Sequence, residues 1–208
     1  MIFILPGMGT NNAMYEGPWR EMEGCRFINW PKLDGDTTLP EIAEMVIEKN
    51  SIGPEDWVGG SSMGGMVSLE ISKILRNPQV VLIGSAKSTR EISQVLFNLA
   101  RFSDLTPIVF LQTISGSTPL KFGKVFANSD PDFIRKAIKA LRSWEGGEST
   151  PAKILRMHGS RDLIIPCPNE GHIIQGAGHL VAMTHAEECV AILRREMDGG
   201  EVFGLEMN

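Results

Sequence analysis

Cysteine is scarce in this chain of 208 residues, and the three present, Cys25, Cys167 and Cys189, are scattered and odd in number. They have neither metal-ligand spacing nor the pattern of a disulfide framework, which excludes a zinc module and a disulfide-stapled secreted fold. The thiols read as reduced. A basic excess is also missing: the net charge is -5 and the isoelectric point about 5.4, which argues against a nucleic-acid surface. Long apolar runs are absent too. Met1 to Leu5 is too short for the core of a signal peptide and follows no basic segment, and nothing approaches a membrane span. The expectation is a soluble, cytoplasmic protein. Neither an internal repeat nor a low-complexity tract occurs. With 42% hydrophobic and 22% charged residues, the length suits one globular domain with a sizeable core, acting on a small molecule or a protein.

The stretch that organises the rest is Trp57 to Met66, WVGGSSMGGM. Within it Gly60-Ser61-Ser62-Met63-Gly64 spells G-x-S-x-G between an apolar run and an amphipathic one. The glycines have a physical reason. A serine on a sharp strand-to-helix turn has a strained backbone, and neighbouring chain must approach without Cβ clashes. The unpaired N–H of Met63 at the start of the helix could then face a developing oxyanion. Ser62 is the candidate nucleophile. About one chain of this length in six contains the bare pattern by chance, so its weight depends on what accompanies it.

Taken in order, Met1 to Leu5 reads as a buried parallel strand ending at Pro6-Gly7-Met8-Gly9. Gly7-Met8-Gly9 could open a dinucleotide fingerprint, but Asn12 holds the third glycine position and no acid ends the next strand, so no cofactor is expected. Arg26 to Trp30 is the second strand. A helix follows from Pro40 to about Lys49, then a strand from Asp56 to Gly60, a helix from Met63 with Met66, Val67, Ile71, Ile74 and Leu75 on a broad buried face, and a strand from Gln79 to Ile83. This alternation predicts a parallel sheet with helices on both faces. Between Ala86 and Gly147 the rhythm changes to a helical, irregular insertion of the kind that covers a substrate. Its clearest helix starts with Asp130 as N-cap and Pro131 after it. Lys153 to His158 and His172 to Gln175 are the last strands, and Thr184 with Glu187 predicts a capping box for the final helix.

Serine attack on an acyl carbon needs a base and a carboxylate to orient it. Asp162 and His179 each lie just past a predicted strand, at the sheet edge where sites form. Here the chain resembles a small α/β-hydrolase, from PGMG through GSSMGG and HGSRDLIIP to GAGHL, and the DPDFIRKAIKALRSW stretch is similar to a group of small bacterial hydrolases. The resemblance implies a triad in the order Ser62, Asp162, His179, with the backbone N–H of Met8 as second oxyanion donor beside Met63. It also implies six strands in the order 2-1-3-4-5-6, the family's usual first two being absent. Pro6 stands where the family often has histidine.

Other candidates carry blander readings. His158 at a strand end is read as a structural hydrogen-bonding residue rather than the base, His172 and His185 need no special role, and Asp36 and Glu170 read as solvated loop charges. From Ala86 to Glu145 nine Lys/Arg face five Asp/Glu. A solvated surface accounts for that, while a sharper expectation is a cap receiving an acyl group on an acidic carrier. The expected activity is hydrolysis of an ester or thioester of a small to medium acyl group through an acyl-serine intermediate. A triad-dependent lyase or synthase, or a binding protein on the same fold, are the alternatives. The residues do not specify an oligomeric state.

Overall fold

Continuous apolar strands require cover on both faces, and the structure supplies it. A computed structural model describes residues 1–92 and 130–199. Strands β1 (Ile2–Leu5), β2 (Cys25–Phe27), β3 (Trp57–Ser61), β4 (Gln79–Ile83), β5 (Lys153–Gly159) and β6 (His172–Ile174) form one sheet in the order β2-β1-β3-β4-β5-β6. Every pairing is parallel. The helices are α1 (Leu39–Asn50), α2 (Met63–Leu75), α3 (Pro131–Arg142), α4 (Val181–Thr184) and α5 (Ala186–Met197). Fold class and strand order are those expected. Because successive side chains alternate, Phe3, Leu5, Val80 and Leu82 join the core under α1, α2 and α3. Ile2, Ile4, Val81 and Ile83 join the opposite core, with Tyr15, Trp19 and residues of α4 and α5.

Local signals explain the starts of α1 and α3. Thr38 Oγ1 accepts from the Glu41 amide while Glu41 accepts from the Thr38 amide, a capping box that starts α1. Asp130 caps α3 by accepting from the Asp132 amide at 2.9 Å. Past the end of α3, the Trp144 indole donates to Glu70 Oε1 at 2.7 Å, fixing this stretch to α2. The Gly147 amide donates to the Lys87 carbonyl at 2.8 Å, so the two ends of the predicted insertion meet. Most of that insertion, residues 93–129, lies outside the described residues. Among the described residues, no helix is long and apolar enough to cross a membrane.

Three expectations change. The second strand ends at Phe27 rather than Trp30, because the Asn29 side chain accepts from the Asn12 amide and the Trp30 indole donates to the Gly7 carbonyl. Those bonds draw the chain away from the sheet. The Thr184–Glu187 capping box is not formed: burial of Val181 and Ala182 makes α4 first, and Thr184 Oγ1 donates back to the Leu180 carbonyl at 3.2 Å. His185 takes the N-cap position of α5 without a side-chain bond. Ile74 is 44% exposed, and the buried face of α2 is widened instead by Gly64, Ser68 and Ser72.

Candidate active site

Ser62 occupies the single residue between β3 and α2, with φ 52° and ψ -122°. A side chain in that region costs roughly 1–3 kcal/mol, so the surroundings must over-determine it. They do. Its amide donates to the Ile83 carbonyl at 3.0 Å, and its carbonyl accepts from the Gly65 amide at 3.0 Å and from Ser85 Oγ at 2.7 Å. The turn also presses on β1: a Cβ on Gly64 would lie 2.5 Å from the Pro6 carbonyl oxygen, and one on Gly60 would lie 2.7 Å from that of Leu5. Backbone cannot yield as a flexible side chain does. Gly64→Ala is therefore expected to destabilise the fold by about 3 kcal/mol or more, read from urea denaturation. An unchanged midpoint would mean that the elbow does not need this close approach.

Asp162 and His179 reach Ser62 from the carboxyl ends of β5 and β6. His179 Nε2 lies 2.9 Å from Ser62 Oγ, and His179 Nδ1 lies 2.8 Å from Asp162 Oδ2. A carboxylate accepts only, so Nδ1 carries the hydrogen and Nε2 is left to accept from the serine hydroxyl. Asp162 Oδ1 accepts from the Ile164 and Ile165 amides at 2.8 and 3.0 Å. Burial by itself would push the carboxyl up. The charge of His179 when that ring is protonated, with hydrogen bonds from His158, His179 and Ile165, outweighs it, and Asp162 is held well below the ordinary carboxylate range.

The loop after β1 flanks the hydroxyl, since a Cβ on Gly7 would stand 3.8 Å from Ser62 Cβ. The Gly7 carbonyl accepts from the Thr10 amide (3.2 Å), Thr10 Oγ1 (2.8 Å) and the Trp30 indole (3.1 Å). In a trans peptide the following N–H points opposite to the carbonyl. The donors on one side of the Gly7–Met8 peptide therefore aim the Met8 N–H to the other. Among the described residues, neither the Met8 nor the Met63 amide has an acceptor. The structure thus brings Ser62, His179 and Asp162 into hydrogen-bond contact, with Met63 next to Ser62 in the chain and Met8 following Gly7 in the loop beside it.

No protein-family model matches the sequence, and no curated protein matches it. Solved structures do match. An esterase from Thermogutta terrifontis superposes with a TM-score of 0.77 at 15% identity, over 95% of this chain and 89% of that one. A hydrolase from Oleispira antarctica gives 0.78 at 15%, over 95% and 90%. An enol-lactonase from Burkholderia xenovorans gives 0.72 at 15%, over 95% and 91%. The chain has the α/β-hydrolase fold.

On this α/β-hydrolase fold, several supporting residues gave no sequence signal. Tyr15 OH donates to the Leu5 carbonyl at 2.6 Å and accepts from the Ser61 amide at 3.1 Å, clamping β1 to the elbow. Complete burial pushes its phenol well above the usual range, so it remains a donor. Ser85 and Trp30 are likewise recognisable only once strands distant in sequence are neighbours. Glu170, read as a solvated charge, is 65% exposed but pairs with buried Arg156 at 3.4 Å. Asp36 is exposed and pairs with Lys139 of α3. Beside the loop after β1 a cleft of about 370 Å³ runs between Thr10, Trp30, Leu33 and Phe133, with Asn11 and Asn29 on its lining. The Trp30 and Phe133 rings, 5.7 Å apart, form its apolar wall.

Proposed function

We propose that this protein is a serine hydrolase that cleaves a carboxylic ester or thioester of a small to medium acyl group. The observation that carries this reading is the unbroken hydrogen-bonded line from Ser62 Oγ through His179 to Asp162. Ser62 Oγ attacks the acyl carbon and its proton passes to His179 Nε2, while Asp162 holds the imidazole's tautomer and balances its charge. The Met8 and Met63 N–H groups stabilise the oxyanion. His179 then protonates the leaving oxygen or sulfur as the acyl bond breaks. Water, deprotonated by His179, releases the acid and restores Ser62.

The fold is shared with proteins described as esterases and as an enol-lactonase, and a lactone is an internal ester. That agrees with acyl transfer to water. The cleft between Thr10, Trp30, Leu33 and Phe133 offers an apolar wall for an acyl or alcohol group. Four described cations of the expected cap form ion pairs with carboxylates, and delivery of the acyl group on an acidic carrier stays a proposal that rates on carrier-bound and free esters across ionic strength would test. Arg135 and Lys136 pair with Asp132, Lys139 with Asp36 and Lys87 with Glu170.

Phosphonate labelling tests the proposal. A fluorophosphonate is expected to add one phosphonyl group at Ser62, located by peptide mass spectrometry, and to abolish turnover of a graded ester and thioester panel. An active protein that remains unlabelled, or labelling at another serine with matching loss of activity, would refute it.

A further inference from the structure

One polar side chain at this site has a position but no part in the relay described above. His158 lies in β5 and is 1% exposed. Its Nε2 is 2.8 Å from the Ile165 carbonyl oxygen and 3.2 Å from Asp162 Oδ2. A carbonyl and a carboxylate only accept, so Nε2 carries a hydrogen and is shared between them. Nδ1 is buried without a partner among the described residues. An apolar ring of similar size would fill this space without an orphaned nitrogen, which is costly to bury. Packing is therefore not what the imidazole contributes. Its Nε2–H is.

The bonds close a ring. Ile165 donates its amide to Asp162 Oδ1 and accepts from His158 at its carbonyl, while His158 also faces Oδ2. A carboxylate offers about four lone-pair directions. Here the Ile164 and Ile165 amides occupy those of Oδ1, and His158 and His179 occupy those of Oδ2. With the amides alone, the carboxylate would be held at one oxygen and free to swing at the other. The donor from β5 ties the second oxygen, the one that orients His179, to the sheet.

We infer that His158 is a positioning residue, a second imidazole that fixes Asp162 Oδ2 against His179 and, by sharing that oxygen, keeps the relay proton on His179. This rests on the serine-hydrolase reading of the site. His158 neither touches substrate nor takes a proton during turnover.

The test compares His158→Asn with His158→Gln in the full chain, using p-nitrophenyl acetate. The Gln amide nitrogen reaches about as far as imidazole Nε2, whereas that of Asn falls short. Asn is expected to lower kcat by about tenfold to a hundredfold with KM within about twofold, and Gln to restore kcat to within about threefold of wild type. Equal losses in two folded variants, or an Asn variant with full kcat, would overturn the inference. A second measurement needs no variant: ring ¹⁵N shifts of the wild-type protein should show His158 protonated at Nε2, and a bare Nε2 would overturn it. Failure of the underlying reading is distinguishable. A wild type that a fluorophosphonate does not label removes both, whereas a labelled wild type with an equally fast Asn variant removes only the positioning role.

Discussion

Ser62→Gly is expected to abolish ester hydrolysis and still melt at a higher temperature than Ser62→Ala. Either substitution removes the nucleophile, and loss of a catalytic serine that works with its base lowers kcat by roughly 10⁶-fold. Both also lose the hydroxyl's bond to His179 Nε2. They differ in the Cβ. At φ 52° and ψ -122° alanine retains the strain that serine bears, whereas glycine enters this region freely. Relief of roughly 1–3 kcal/mol of strain, set against roughly 0.5–1 kcal/mol for glycine's greater freedom when unfolded, leaves a net gain of about 1 kcal/mol. For a chain of this size that is about 2–4 °C in Tm. Thermal melts and hydrolysis of a fluorogenic ester read both effects. Retained turnover in either variant would remove Ser62 from the mechanism, and a glycine variant melting below the alanine one would show that the elbow holds no serine-specific strain.

Asp162→Asn is expected to cost about 10⁴-fold in kcat, with little change in KM. The carboxylate receives hydrogens on both oxygens, and an amide can accept on only one. If the Asn oxygen meets the Ile164 and Ile165 amides, its NH₂ faces His179 Nδ1. The imidazole must then move its hydrogen to Nε2 and can no longer accept from Ser62. Stability carries a second signature. Asp162 is held below its ordinary range, so its contribution is complete above the unfolded-state pKa of about 4 and is lost as pH falls towards the folded value. The stability gap between wild type and Asp162→Asn should accordingly be widest near neutrality and narrow below about pH 4. Urea denaturation across this range measures it, and a gap that widens on acidification would contradict the assigned charge state.

How much was legible from the chain depended on the range of the forces involved. The continuous apolar runs, Asp130 before Pro131 and the glycines around Ser62 all record interactions within a few residues or with a generic sheet face. They could be read without knowing which strands were neighbours. Thr184 shows where that stops. Its spacing to Glu187 satisfies the capping rule, but burying Val181 and Ala182 against the sheet turned the chain helical earlier, and the hydroxyl bonded backwards. Trp30 shows the same for a strand, since a pattern that suits β structure gave way to one indole bond across to Gly7.

Residue order alone therefore determined that this chain forms a parallel α/β sheet, with a glycine-flanked serine after its third strand and an acid and an imidazole after its last two. Only the tertiary structure decided which groups would hold them. Tyr15 meets Ser61, Ser85 meets the Ser62 carbonyl and His179 meets Asp162 because pairing places β1 beside β3, β3 beside β4 and β5 beside β6. Hydrogen bonds act over about 3 Å, and a separation that small between residues far apart in the chain exists only after the strands have assembled.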